Sequence, residues 1–166
     1  MPRSEDKPTI SVTPTNKLAT NLKDLSSAKV IKIHDGDTIS ADSGQGVIKI
    51  RLACIDAPES NQKPWGDNAT KFMQSLTPVG TTIQYRVADI DRYGRTVAEV
   101  YRGNVLINVE MVANGYAPVY QRYLSSCVQT QNEYLQSEAQ AKSKRLGFWN
   151  QASICFPWDF RRKQCQ

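Results

Sequence analysis

The sequence has a single histidine, His34, and no apolar run long enough to cross a bilayer. Its four cysteines lack the closely paired spacing of a zinc site, and no paired His–Cys signature marks a thiol nucleophile. No internal repeat is present. These absences argue against a membrane-spanning protein, a sulfur-ligated metal protein and a cysteine-based hydrolase.

The chain of 166 residues is long enough for one ordinary domain and too short for two good cores. Apolar residues make up 40% and charged residues 22%, a composition typical of a soluble globular protein. The net charge of +5 and the pI near 9.1 favour polyanionic partners such as nucleic acid. The alternative is a basic surface that only serves solubility, and charge alone does not choose between the two.

The four cysteines allow two disulfides with three connectivities. We favour Cys54–Cys127, which would link the segment before the third helix to the barrel, and Cys155–Cys165, which would close a short loop in the tail. Buried free thiols are the alternative. Disulfides would indicate an oxidising compartment, and we expect a secreted or cell-envelope protein although no signal peptide is recognisable.

Residues 1–27 are polar and rich in Pro, Thr, Ser and Lys, so they are predicted to form a flexible leader before a domain over 28–150. Short strands with turn residues between them follow, and the stretches AKVIKI and TISA flank the loop His34–Asp37. In VIKIRLACI a period of two places Cys54 with the core residues and Arg51 beside Lys49 on the opposite face.

Three helices are predicted, near residues 68–76, over 105–114 and after Thr130. Thr130 and Glu133 match a capping box for the third helix. Its core face is predicted from the spacing of apolar and long side chains at Leu135, Ala139, Lys142 and Leu146. With five strands, the pattern predicts a β-rich α+β fold, a small barrel with helices packed on it, and a tail over 151–166 packed on or extending the domain.

Three carboxylates and two arginines could together hydrolyse a phosphodiester. Asp37 lies in HDGDT, Arg51, Asp56 and Glu59 in RLACIDAPE, and Arg95 in DRYGR. Clustered carboxylates repel one another unless a cation neutralises them, and oxygen ligands without Cys or His favour Ca²⁺ or Mg²⁺. A guanidinium contacts phosphate through two nitrogens. Taken singly, each acid is as compatible with a turn or helix cap, and each arginine with a surface ion pair.

The order of these three motifs resembles the staphylococcal nuclease family. The resemblance runs from Ala28 to about Trp149 and includes SEAQAKSKRLGFW in the third helix. It implies a five-stranded OB-type barrel with three helices and a Ca²⁺-dependent nuclease that acts on DNA and RNA with low sequence specificity. It also implies cleavage of the bond to the 5′ oxygen, which leaves 3′-phosphates.

The resemblance also implies residue roles. Asp37, Asp56 and the backbone carbonyl of Ala57 match the metal ligands, and Glu59 matches the residue that activates or orients water. Arg51 and Arg95 match the arginines that stabilise the transition state. The residues expected to bind substrate are Lys49, Tyr93 and Tyr123.

The sequence departs from the family pattern at several points. Gln121 stands where a second late tyrosine would be, and the segment SNQKP is shorter than the lysine-rich loop of the best-known relative. The basic tail residues Arg161, Arg162 and Lys163 are expected to be a solvated surface rather than a nucleic-acid contact. His34 is not expected to act as a base, because hard cations prefer oxygen and the family has no catalytic histidine there.

Two other functions remain open. One is a nucleic-acid-binding OB domain without catalysis, against which the complete set of catalytic residues argues. The other is a protein-interaction module with an aromatic groove, for which the sequence shows no recognisable cage. For the nuclease we expect a monomer with no obligate protein partner.

Overall fold

The computed structural model describes residues 25–165. Five long strands form a closed barrel: β1 (Ser26–Ile33), β2 (Thr38–Asp42), β3 (Val47–Leu52), β4 (Thr82–Ile90) and β5 (Thr96–Arg102). A two-residue strand, β6 (Val105–Leu106), pairs with β5. The order in the sheet is β3-β2-β1-β4-β5-β6, and β3 also pairs with β5 in parallel, which closes the barrel. The predicted barrel with helices is confirmed.

The first strand begins earlier than the composition suggested. Ser26 and Ser27 belong to β1, where they pair with β4, so the last two residues of the predicted leader are part of the barrel. Residues 1–24 of that leader lie outside the described residues. Small polar side chains form strands when cross-strand backbone hydrogen bonds are available, a condition that composition does not reveal.

The interior of the barrel is filled by the alternating apolar residues of the strands. Ile50 and Leu52 are fully buried, as the period of two in β3 predicts. Strand β3 ends at Leu52, however, and the buried Cys54 follows in a turn with φ of 67°. Cys54 is therefore buried by the turn and its disulfide rather than by strand alternation.

Within residues 25–165, four α-helices pack around the barrel: α1 (Trp65–Leu76), α2 (Ile107–Ala113), α3 (Gln131–Ser143) and α4 (Pro157–Arg161). Two short 3₁₀ segments in the same part of the chain, Gln121–Cys127 and Gly147–Trp149, connect them. The first two residues of the predicted second helix form β6 instead. Among the described residues, no helix is both long and apolar enough to span a membrane.

Helix α3 begins where expected but differs from the prediction in its cap and in its buried face. The Thr130 hydroxyl makes no cap hydrogen bond and donates to Glu99 instead, so the capping box is wrong. The buried residues are Tyr134, Glu138 and Ala141. The predicted face was wrong because Tyr134 and Glu138 are polar yet satisfied: the Tyr134 hydroxyl donates to Glu99, and Glu138 accepts the Val119 N–H.

Both predicted disulfides are present. Cys54–Cys127 joins the turn after β3 to the segment before α3. Cys155–Cys165 closes a ten-residue separation in the C-terminal tail. The tail packs on the domain, since Phe156 contacts the small apolar cluster formed by Ala141, Phe148 and Trp149.

Candidate active site

Strand pairing brings the three predicted motifs to one end of the barrel. The loop His34–Asp37 leads into β2, whose first residue, Thr38, is the partner of Arg51 in β3. Arg51 is also the parallel partner of Val97, two residues after Arg95. The loop before β2, the end of β3 and the entry to β5 are thus neighbours.

Arg51 connects two of the predicted carboxylates. One guanidinium nitrogen lies 3.3 Å from Asp37 Oδ2, and the other donates to Asp56 Oδ1 at 3.2 Å. The first nitrogen also donates to the backbone carbonyls of Leu52 and Ile55, at 2.8 and 3.0 Å. Arg51 therefore holds the turn after β3 and places Asp56 beside Asp37.

Two glycines allow the loops of the site to approach helix α1. A Cβ on Gly36 would lie 2.6 Å from the Cβ of Ala69 and 2.9 Å from that of Ala57. A Cβ on Gly66 would lie 1.9 Å from the carbonyl oxygen of Glu59. Only glycine permits such contacts, so both positions help to set where Asp37 and Glu59 lie.

Asp37 and the backbone of Ala57 are in direct contact. Asp37 Oδ2 accepts the Ala57 N–H at 2.7 Å, and both residues are buried. The predicted carbonyl ligand at Ala57 thus belongs to a residue that touches a predicted carboxylate ligand. The structure brings Asp37, Asp56 and Ala57 together.

Asp35 is an additional carboxylate of the site that the sequence analysis did not single out. Its Oδ1 accepts the Asp37 N–H at 3.0 Å. Burial, together with the negative charge of Asp37, raises the pKa of Asp35 to about 7. The signal in the sequence was the pair of aspartates flanking Gly36, of which only the second was assigned a role.

The C-terminal tail reaches the same carboxylates. Arg161, at the end of α4, donates to both oxygens of Asp56, at 2.9 and 2.7 Å, and to Glu59 Oε1 at 2.7 Å. The expectation of a solvated basic tail is therefore wrong for Arg161, whose partly exposed side chain is ion-paired with the site, whereas Arg162 and Lys163 are exposed without such a pair among residues 25–165. Nothing in the sequence near Arg161 indicates this contact, because the two partners lie 105 residues apart.

Burial and ion pairing act in opposite directions on Asp56. Burial raises its pKa and the charge of Asp37 adds to the rise, although the hydrogen bonds from Arg161 and the charge of Arg51 lower it. The pKa of Arg161 is raised by its hydrogen bonds to Asp56 and Glu59. An unpaired charge at the position of Asp56, which is 1% exposed, would be strongly disfavoured.

Arg95 lies at the same end of the barrel but pairs within its own turn. Its Nε donates to Asp91 Oδ2 at 2.6 Å, and the guanidinium lies over the ring of Tyr93. Burial opposes ionisation of Asp91, but hydrogen bonds from Arg95 and from the Tyr93 N–H outweigh it and lower the pKa of Asp91. In this structure Arg95 makes no ion pair with Asp37, Asp56 or Glu59.

The predicted substrate-binding side chains are exposed. Tyr93 is 70% exposed and Tyr123 is 50% exposed. Lys49 lies on the outer face of β3.

His34, which was not expected to act as a base, forms a hydrogen bond with the Ser40 hydroxyl.

An aromatic row runs from Tyr123 into the tail. Tyr123 packs edge-on against Tyr120, whose ring stacks on Trp158, and Trp158 stacks on Phe156. Gln121, at the position where a second tyrosine was expected, is exposed. The row is built mainly from residues that the sequence analysis left without a role.

The donor set suits a hard divalent cation in its chemistry. Asp35, Asp37, Asp56 and Glu59 supply four carboxylates, against the two guanidiniums of Arg51 and Arg161, which leaves a formal charge of −2. All the donors are oxygens, as Ca²⁺ and Mg²⁺ prefer. Within residues 25–165, no three Asp, Glu, His or Cys side chains are already grouped as a metal cage, because arginines lie between the acids.

Comparison with known proteins agrees with this geometry. A family model described as staphylococcal nuclease homologue matches residues 49–151. The chain is 36% identical to a micrococcal nuclease of Shigella flexneri, over 81% of this chain and 79% of that protein. It is 34% identical to an uncharacterised endonuclease of Haemophilus influenzae, over 86% of this chain and 76% of that protein. The chain therefore belongs to the staphylococcal nuclease family and is an enzyme that hydrolyses nucleic acid.

Proposed function

We propose that the protein is a Ca²⁺-dependent phosphodiesterase that hydrolyses DNA and RNA with low sequence specificity and leaves 3′-phosphates. The observation that carries this proposal is the joining of Asp37 and Asp56 through Arg51, with Glu59 joined to Asp56 through Arg161. Relatives named endonuclease and micrococcal nuclease support the reaction class.

The cation would be held by Asp37, Asp56 and the carbonyl of Ala57. When bound, it would neutralise charge on the phosphoryl group and stabilise the charge that develops during displacement. The fold keeps the two buried carboxylates of Asp37 and Asp56 beside each other, where both can contact one cation. Arg51 offsets their mutual repulsion, which for unit charges 4 Å apart amounts to about 4 kcal/mol at an effective dielectric of 20.

Glu59 is suited to orient the attacking water and accept its proton. Its carboxylate is 34% exposed, in contrast to the buried Asp56 three residues earlier, so water can reach it. The Glu59 N–H donates to Gln62 Oε1, and the Gln62 N–H donates to the Glu59 carbonyl, which fixes the backbone of this turn. A base must lie within hydrogen-bond reach of its water, and a fixed turn provides that.

Arg51 and Arg95 are assigned to the phosphoryl group. Arg51 is already held by four acceptors, so it presents a preorganised positive charge at the edge of the site. Arg95 has to exchange its partner Asp91 for the phosphate. That pair is partly exposed, with side chains 30% and 20% accessible, so the exchange costs little.

Lys49, Tyr93 and Tyr123 would contact substrate beside the scissile bond. Exposed rings stack on any base, and a lysine pairs with any phosphate, so these contacts carry little sequence information. This agrees with low sequence specificity. The two disulfides support a secreted or cell-envelope location, where thiols oxidise, and we propose that the enzyme acts there as a monomer.

Incubation of labelled single- and double-stranded DNA and RNA with Ca²⁺, Mg²⁺ or a Ca²⁺ chelator tests the proposal. We expect cleavage with Ca²⁺, its loss with chelator, and products from which a phosphatase removes a 3′-phosphate. Glu59→Gln and Arg95→Lys should each lower the rate about 10²–10³-fold, as removal of one electrostatic contact does. The control is Arg162→Lys, at an exposed position. Parent rates in both site variants would contradict the assigned roles.

A further inference from the structure

We propose that Arg161 competes with the divalent cation for Asp56, so that the tail limits cation binding. The tail loop is defined as residues 155–165, which the disulfide Cys155–Cys165 closes. This inference rests on the proposed function, because competition requires that a cation binds Asp56.

The contacts of Arg161 occupy the Asp56 oxygens that a cation would use. Its two terminal nitrogens donate one to each oxygen of Asp56, and one of them also donates to Glu59. Asp56 Oδ1 accepts from Arg51 as well. A carboxylate has about four lone-pair sites, and hydrogen bonds fill three of those on Asp56.

Arg161 differs from Arg51 in that it takes both oxygens of Asp56, so charge repulsion opposes a cation at Asp56 while Arg161 is there. A guanidinium and a divalent cation on one carboxylate repel with twice the energy of two unit charges at the same distance. The alternative is that Arg161 only orients Asp56 as an outer-shell partner of a metal ligand, in which case its loss would weaken cation binding. Competition predicts the opposite, since loss of Arg161 frees the oxygens.

The tail loop keeps Arg161 near the site without burying it. Gln62, which is 4% exposed, donates to the Cys155 carbonyl, and the ring of Trp158 stacks between those of Tyr120 and Phe156. These anchors hold the chain before α4 and the first turn of that helix. The side chain of Arg161 remains 40% exposed, so it can move from Asp56 into solvent.

Space for that movement lies next to the contact. A cavity of about 500 Å³ is lined by Glu59 and Arg161 together with Asn61, Phe160, Lys163 and Cys165. Arg161 can therefore leave Asp56 without displacing the loop. Occupancy of the site by Arg161 then reduces the fraction of molecules able to bind the cation, and the apparent Kd rises by the inverse of that fraction.

Isothermal titration of Ca²⁺ into the full oxidised protein tests the competition. If Arg161 occupies the site in nine molecules of ten, R161Q should bind Ca²⁺ about ten-fold more tightly than the parent. The matched control is R162Q, which removes the same charge one residue away at an exposed position. We expect its Kd to stay within about two-fold of the parent, since the charge on an exposed side chain is screened by solvent and salt.

A second variant tests the role of the loop itself. C155S/C165S retains Arg161 but opens the loop, so its Kd should fall toward that of R161Q. Equal affinities in R161Q and R162Q, or weaker binding in R161Q, would overturn the competition while leaving the cation site in place. Absence of Ca²⁺ binding in the parent and in every variant would instead overturn the cation in the proposed function, and the competition with it.

Discussion

Replacement of Arg51 by lysine tests whether this position needs only a positive charge or also the several donors of a guanidinium. The Arg51 side chain is 14% exposed and contacts two carboxylates and two backbone carbonyls. Lysine keeps the positive charge but, as a compact ammonium, cannot span all four acceptors. We expect it to lose one carbonyl contact, worth about 0.5–1.5 kcal/mol, and one carboxylate contact, worth about 1.5–3 kcal/mol.

The free energy of unfolding should therefore fall by about 2–4 kcal/mol. A domain of this kind has about 5–15 kcal/mol in total, so the variant should remain folded. Urea unfolding followed by circular dichroism, with disulfides intact and divalent cations chelated, measures the difference. At a slope of about 2 kcal/mol per molar urea, the midpoint should move by about 1–2 M.

Arg162→Lys serves as the control, because Arg162 is exposed and the structure of residues 25–165 gives its side chain no ion pair. A change smaller than about 0.5 kcal/mol in Arg51→Lys would refute the argument that Arg51 holds the turn after β3. Loss of activity without loss of stability would leave Arg51 a catalytic role only.

Two further predictions concern groups away from the cation site. Glu99→Gln should lower stability by about 3–5 kcal/mol in the same urea assay, because the buried Glu99 is the charge partner of Arg86 and accepts hydrogen bonds from Thr130 and Tyr134; an unchanged midpoint would contradict this. Burial and the positive charges of Lys49 and Lys32 lower the pKa of His34, so NMR titration of this sole histidine should give a midpoint below 6.5. Lys49→Gln should raise that midpoint, and no change would show that Lys49 does not act on the ring.

The barrel was predicted from local features of the sequence, whereas the grouping of Asp37, Arg51 and Asp56 in one site was predicted from the resemblance to the family. The strands alternate, and the turn residues between them are distinct, so the end of β3 could be located to within three residues. Given the barrel, strand pairing alone puts Arg51 opposite Thr38 and next to β5. Strand pairing in the barrel therefore accounts for the long-range neighbours of Arg51.

The buried face of α3 was not predictable in this way. Tyr134 and Glu138 are buried because Glu99 on β5 and the Val119 N–H supply their hydrogen-bond partners. Those partners come from other parts of the chain, and hydropathy counts such residues as polar. Glu99 also accepts the hydrogen bond of the Thr130 hydroxyl. That hydroxyl therefore does not cap α3, and the capping box present in the sequence does not form.

The contact of Arg161 illustrates a limit of motif-based reasoning about active sites. A family pattern assigns roles only to positions that the pattern contains, and a tail beyond it is read by composition, as a charged surface. Yet the buried carboxylate of Asp56 needs a positively charged partner. The loop closed by Cys155–Cys165 places the guanidinium of Arg161 beside it. An excess of buried negative charge in a predicted site is therefore a reason to examine every arginine in the chain, including those outside the family match.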